Sequence, residues 1–355
     1  MLRKLLDQVR LKRDLLRRRM AMWRWDGPLP STGSFVDRVV FIRWDAKLGD
    51  AIVLSWVMRE LKRQRPDLEI TVITGPELER LFREGFGIDS VFLASKKHGW
   101  SQLPQIAQTL KHSRYVVHMS EIWRPRDLRF VRQVLPQYVV GLDDELEVIN
   151  VKLGRVTQGW HFSERLLPWL EQLGMDTTQR QYWVPRDAHA QARLAQGWPE
   201  GRMIGFCPFG ASKSRQLSVN QIVFFAEQVL AKNDQWLLLI VQPSQVQPLQ
   251  HQLAGRSWSD RLLFRPTNEI IELCEQVARC VALISVDTSV VHIASGLRKP
   301  TLAIYTAGSA DSDNFKSWHP NNPLAFCEFI EIGVEEISQE ERNRLVIGLD
   351  SIDAI

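Results

Sequence analysis

With 355 residues, 45% of them hydrophobic and 24% charged, the chain has the composition of a soluble globular protein and the length for two domains. No apolar run approaches the roughly 20 residues needed to cross a bilayer. Cys207, Cys274, Cys280 and Cys327 form no CxxC pair, which argues against a zinc ribbon or a disulfide framework and for buried thiols in a reducing cytoplasm.

The net charge of +4 is unevenly placed. Residues 1–35 carry nine basic side chains against three acidic ones, and the remainder is slightly acidic. Leu2, Leu5, Leu6, Val9, Leu16, Met20 and Trp23 recur at helical spacing, so residues 1–25 read as a basic amphipathic helix. Such a helix suits either an anionic membrane surface, where each basic residue adds about 1 kcal/mol, or packing on the body of the protein. It lacks the apolar core and cleavage site of a secretory signal. The basic charge elsewhere is not gathered into a nucleic-acid reader motif, so no nucleic-acid partner is expected.

Beyond this extension, strands and helices alternate. The chain reads as a strand over 38–44, an amphipathic helix marked by Ala51, Leu54, Val57, Met58 and Leu61, and strands over 69–74, 91–94, 115–119 and 138–141. Gly174 closes a helix, and Trp183-Val184-Pro185 reads as an extended linker. A second series follows: strands over 203–207, 236–241, 261–264, 281–286 and 301–305, with Ser218 and Asn268 as helix caps. The fold class is therefore α/β, with two Rossmann-like doubly wound domains. The expected divisions are an extension over 1–35, domains over 36–185 and 186–330, and a C-terminal helical segment over 331–355. Ligands of such folds bind at the carboxyl ends of the strands.

Three segments at those ends carry chemistry. Asp45-Ala46-Lys47-Leu48-Gly49-Asp50 ends the first strand, and Asp50 is either a helix cap or a general base facing the ligand. Lys47 is either a phosphate contact or solvated. Pro208 to Ser218 holds Gly210 and Ser212 with Lys213 and Arg215, which could neutralise a diphosphate or belong to an ordinary polar loop. Asp287-Thr288-Ser289 runs straight from a buried strand into a helix, leaving free backbone N–H groups where a phosphate would sit. His292 falls in the first turn of that helix, as a ligand or a packing residue. Neither GxGxxG nor a Walker loop is present, so neither NAD nor P-loop chemistry is favoured.

DAKLGDAIVLSWVMREL, PFGASKSRQLS and SVDTSVVHIASGLRKPTLAIY, in this order across about residues 37–310, resemble the glycosyltransferase family nine heptosyltransferases of lipopolysaccharide core assembly. The resemblance implies the two-domain GT-B arrangement. It also implies inverting transfer of heptose from ADP-L-glycero-D-manno-heptose to a core hydroxyl, without a metal or other cofactor. Asp50 would be the general base. Asp287, Thr288 and His292, with Ser289 where the family usually has glycine, would bind the donor. Lys213 or Arg215 would hold its diphosphate, in a segment that departs from the family's usual ending. The acceptor would be a lipid A–core oligosaccharide, for whose acidic groups Lys47, Arg124 and Arg126, followed by Arg129 and Arg132, are candidates. The enzyme would work in the cytoplasm, peripheral to the inner membrane. A transferase using another nucleotide sugar, a nucleotide-sugar epimerase on the same plan and a non-catalytic binding protein of the envelope pathway are the alternatives.

Overall fold

The structure is a computed structural model that describes residues 2–29, 33–94 and 99–354, with the side chains of residues 2–8, 10, 11 and 99–101 outside the description. It divides into two compact units, one of Met1–Lys47 and Val57–Arg180, the other of Leu48–Trp56 and Gln181–Ile355.

The first unit opens with helix α1 (Leu2–Trp25) and carries strand β1 (Val36–Arg43). Helix α2 (Leu48–Gln64) is shared by the two units. Strands β2 (Glu69–Thr74) and β3 (Ser90–Leu93), helix α3 (Gly99–Thr109), strand β4 (Ser113–His118) and helix α4 (Pro125–Val134) follow. Strands β5 (Tyr138–Gly141) and β6 (Val151–Lys152) and helix α5 (Leu167–Gln172) complete it. The six strands pair in the order β3-β2-β1-β4-β5-β6, and every pairing is parallel. Five consecutive residues of β1, from Val39 to Arg43, are buried, as a parallel strand covered on both faces requires.

The second unit continues with α6 (Ala188–Ala195), β7 (Arg202–Cys207), α7 (Val219–Leu230), β8 (Gln235–Leu239), α8 (Pro243–Leu253) and β9 (Leu262–Phe264). It ends with α9 (Ile270–Arg279), β10 (Ala282–Val286), α10 (Ser289–Gly296), β11 (Thr301–Thr306), α11 (Asp313–Trp318), β12 (Ala325–Ile330) and α12 (Gln339–Asp353). Its sheet is also all parallel, in the order β12-β11-β10-β7-β8-β9. Each sheet reverses its winding direction once, between β1 and β4 in the first and between β7 and β10 in the second. At such a point the loops diverge and leave a crevice at the carboxyl edge.

Three details depart from the sequence expectations. Residues 331–355 do not stand apart: Leu345, Leu349 and Ile352 of α12 belong to the apolar core of the second unit. Asp353 fixes the end of the helix, accepting hydrogen bonds from Arg202 and Gln235 at 3.1 and 2.7 Å. The N-cap of α9 is Glu269 rather than Asn268, with the Thr267 hydroxyl accepting from the Glu269 N–H. Strands β6 and β12 are edge strands whose half-buried, mixed sequences carry little alternation.

Candidate active site

At the winding reversal of the second sheet, the chain leaving β7 forms a tight hairpin. The Gly210 N–H donates to the Arg215 carbonyl at 2.6 Å, the Leu217 N–H donates to the Pro208 carbonyl at 3.0 Å, and Phe209 bridges Gln216 in antiparallel fashion. Gly210 is required there, because a Cβ on it would lie 2.7 Å from that of Arg215 and 3.4 Å from the Asp287 carbonyl. The neighbouring strand, β10, runs into α10. Thr288 is the N-cap of that helix, and its hydroxyl accepts from the Val290 N–H at 3.2 Å. Helix N-termini of this kind concentrate N–H donors and positive dipole, which suits an anion.

Arg215 ties the two segments together. Its Nη1 donates to the Asp287 carboxylate at 3.0 Å and to the Asp287 carbonyl at 3.2 Å, while its Nε donates to the Ser212 hydroxyl. Arg215, Asp287, Thr288 and Ser289 share the wall of a pocket of about 360 Å³. Lys213 is exposed on the same hairpin but is not part of the wall. The geometry thus separates two residues that the sequence left as equals, and puts Arg215 at the pocket.

His292 is buried, one turn into α10, and is likewise absent from the pocket wall. Its ring meets Trp318 edge-on, with centroids 6.3 Å apart. The start of α2 also lies against it. A Cβ on Gly49 would lie 3.1 Å from His292 Cδ2 and 3.7 Å from the Ser289 Cα. The first turn of α2, which carries Asp50, therefore lies directly against the first turn of α10 within the second unit. Asp50 is not the N-cap. Lys47 takes that position, without a side-chain capping bond, and Asp50 is the third helical residue, half-buried. Further along α2, the buried Ser55 hydroxyl accepts from the Trp183 N–H at 2.7 Å and so fastens the extended linker.

The arginines named for an acceptor occupy different surroundings. Arg126 is buried over the Trp44 ring, 4.2 Å from its centroid and 3.8 Å from Asp127. Its charge is engaged inside the first unit, where burial lowers its pKa. The sequence leaves Arg126 as a grip on an acidic acceptor or part of a solvated helix face; its burial excludes the solvated face. Arg124, the N-cap of α4, is exposed, and so is Lys47. At the carboxyl end of β4, His118 packs between Trp44 and Trp123 with its Nε2 3.5 Å from Asp127. Burial pushes the Asp127 carboxyl up, but His118, the Arg124 N–H and Arg126 outweigh it and hold the pKa below the ordinary value.

The far wall of the pocket was not anticipated. Gln242 follows β8, Arg265 and Thr267 follow β9, and Gln276 comes from α9. Arg265 is fixed by donating to the Gln196 and Gly197 carbonyls at 2.8 and 2.9 Å, and its own carbonyl accepts from Gln276. Gln242, Arg265 and Thr267 also sit past the carboxyl ends of strands, so the rule that marked the hairpin and α10 could have marked them. None of them stands in a recognisable motif.

Residues 171–327 match the model of glycosyltransferase family 9 (heptosyltransferase). The pocket and its walls lie inside this stretch, whereas Asp50 lies outside it. No curated protein sequence matches the chain. Among solved structures, the family 9 glycosyl transferase of Veillonella parvula DSM 2008 superposes with a TM-score of 0.71 at 14% identity, over 91% of this chain and 98% of that one. The ADP-heptose lps heptosyltransferase II of E. coli gives 0.69 at 15% identity, over 89% and 98%. The E. coli heptosyltransferase WaaC with ADP gives 0.64 at 14% identity, over 90% and 100%. At these identities the superpositions speak to fold, and that fold is the two-sheet GT-B plan.

Proposed function

We propose that this glycosyltransferase, whose residues 171–327 match the family 9 model, moves a heptose from ADP-L-glycero-D-manno-heptose to a hydroxyl of a lipopolysaccharide core, with inversion. The observation that carries the reading is the close apposition of two helix starts, that of α2 with Asp50 and that of α10 at the pocket. One end of the reaction needs a base and the other needs an anion holder, and these two starts supply them side by side. Two solved relatives in fold, with ADP and with an ADP-2-deoxy-2-fluoro heptose, support a donor of this class.

In this reading the donor diphosphate rests on the N–H groups of Ser289 and its neighbours at the α10 N-terminus, with Arg215 neutralising charge as ADP departs. Asp287 holds the guanidinium in place through the 3.0 Å ion pair. Asp50 takes the proton from the acceptor hydroxyl as its oxygen attacks the anomeric carbon from the face opposite the leaving ADP. His292 contributes by shape, setting how closely α2 approaches α10. Charge on the leaving group is then met by N–H groups and a guanidinium. Transfer is accordingly expected to persist in excess EDTA, and a loss restored by added divalent ions would overturn that part of the assignment.

The deciding experiment is Asp50→Asn. Transfer is expected to fall about 10²–10⁴-fold while ADP binding, read by calorimetry, stays within a few-fold of the parent. Parent-like turnover by this variant would remove Asp50 from the role. Incubation without acceptor separates transfer from epimerisation, since only an epimerase would turn over the donor alone. Ser289, where the resembling family carries glycine, lies in the pocket wall and bears on which sugar fits. Competing ADP-heptose against other nucleotide sugars reads that choice directly.

A further inference from the structure

We infer that one face of α1 is a docking surface for an anionic lipid bilayer, oriented by the first unit rather than tethered loosely to it. Besides Leu15, which lies off that face, four large apolar side chains stand in solvent along the described part of this helix: Val9, Leu16, Met20 and Trp23, with Trp23 86% exposed. They are spaced by seven, four and three residues. At 3.6 residues per turn these positions fall within a sector of about 60° and form one stripe about 21 Å long. The stripe has basic rims. On the same wheel Lys12 and Arg19 border one side, and Arg13, Arg17 and Arg24 border the other, all of them exposed. Asp14 falls on the opposite side of the helix, its carboxylate reaching back to accept from Arg13 at 3.1 Å.

That opposite side is spoken for. Arg18 donates to both oxygens of Asp143 at 2.8 and 2.9 Å. Ala21 is buried, and Met22 and Trp25 pack on the core of the first unit. Asp26, just past the helix, accepts from the Val148 and Glu147 N–H groups at 2.9 and 3.1 Å, and Arg132 donates to the Pro28 carbonyl. A helix fastened along one side presents its other side in a fixed direction. An amphipathic helix that served only to complete the fold would bury its apolar stripe, whereas this one buries a short contact near its end and leaves the stripe out.

The charge pattern selects the occupant. A second copy of the helix laid on the stripe would set basic rims against basic rims, in the positions where paired helices need opposite charges. A bilayer with anionic headgroups satisfies both features together. The apolar stripe enters the acyl boundary, the Lys and Arg rims meet headgroups, and the Trp23 indole sits at the polar–apolar transition. The inference stands on α1 alone and does not depend on which sugar is transferred.

The test is co-sedimentation of the full chain with vesicles of phosphatidylglycerol and phosphatidylethanolamine, and separately of phosphatidylcholine alone. Binding is expected on the anionic vesicles, weakening at least ten-fold at high salt, and far less on phosphatidylcholine. Leu16→Ser with Met20→Ser and Trp23→Ser should reduce the anionic binding at least ten-fold. The same substitutions should leave the melting temperature and transfer to a soluble, delipidated acceptor unchanged. Replacing Lys12, Arg13, Arg17 and Arg19 with Gln should reduce binding and also flatten its salt dependence. Vesicle binding that neither set alters would overturn the inference. So would a dimer seen by sedimentation velocity that the apolar set dissociates while vesicles bind nothing, since that outcome assigns the stripe to a second copy.

Discussion

Gly49 stands where a side chain would meet a ring. A methyl group there would come within 3.1 Å of His292, inside the separation of about 3.5–4.0 Å at which carbon atoms rest comfortably. Because His292 is buried against Trp318, relief would have to come from moving the first turn of α2 and Asp50 with it. If Asp50 is the base proposed above, Gly49→Val is therefore expected to lower transfer by about 10-fold, short of the roughly 10²-fold that a shift of about 1 Å in a reacting group brings. Its melting temperature should stay near that of the parent, because the affected contact is a single helix start. Parent-like kinetics would mean that the approach of the two helices is not critical. The sequence made Asp50, Asp287 and Thr288 legible because each follows a buried apolar run at a strand-to-helix junction. It could not disclose that the buried His292 ring meets Trp318, or that Arg126 lies over Trp44, because those facts depend on residues 26 and 82 positions away that only the folded chain brings close.

Helix α4 and its neighbour β4 carry a buried charged group that sets a stability limit in acid. Asp127 caps the start of α4, accepting from the Arg124 N–H at 2.7 Å, and faces His118 and Arg126. Its pKa is held below the ordinary value, so it contributes stability above the unfolded-state value of about 3.9, and that contribution is lost as the pH falls through the lower folded-state value. Asp127→Asn should lower stability near pH 7 by about 1–3 kcal/mol and flatten the decline below about pH 4, as read by urea unfolding across pH. An unchanged acid profile would mean that other carboxylates govern the transition. A steric limit of a different kind operates in α10. The linker crosses Gly296 so closely that a Cβ there would lie 2.5 Å from Val184 Cγ2 and 3.1 Å from the Tyr182 carbonyl. Gly296→Val should destabilise the second unit by about 1–3 kcal/mol, measured as a drop in melting temperature without change in the first unit's unfolding. Most elements of this size were readable from alternation and caps. Ser218 caps α7, as the sequence led one to expect, and Gln221 completes the capping box. Strand β12 and the docking of α12 were not readable, since an edge strand with charged residues lacks a clean period and α12 finds its apolar partners only across the sheet.

The division of the molecule into two units does not follow the linear order of the chain. Leu48–Trp56 belongs with Gln181–Ile355, although the rest of α2 belongs with the first unit. No reading of periodicity along the chain yields this, because α2 is one uninterrupted amphipathic helix whose two halves find different neighbours. The consequence is measurable by hydrogen exchange. A ligand that binds the second unit at 100 times its dissociation constant stabilises that unit by about 2.7 kcal/mol. ADP added at that ratio should slow exchange at amides of the β7 hairpin and the first turns of α10, and equally at residues 48–56 of α2. Strands β2 to β5 should be little affected, since their core shares no residue with the pocket. Slowing confined to residues 205–296, with 48–56 following β2 to β5 instead, would mean that the start of α2 is energetically part of the first unit. Asp50 would then be carried to the pocket only transiently. Coordinated slowing would mean that Asp50, the proposed base, is already fixed beside the start of α10 before any acceptor arrives.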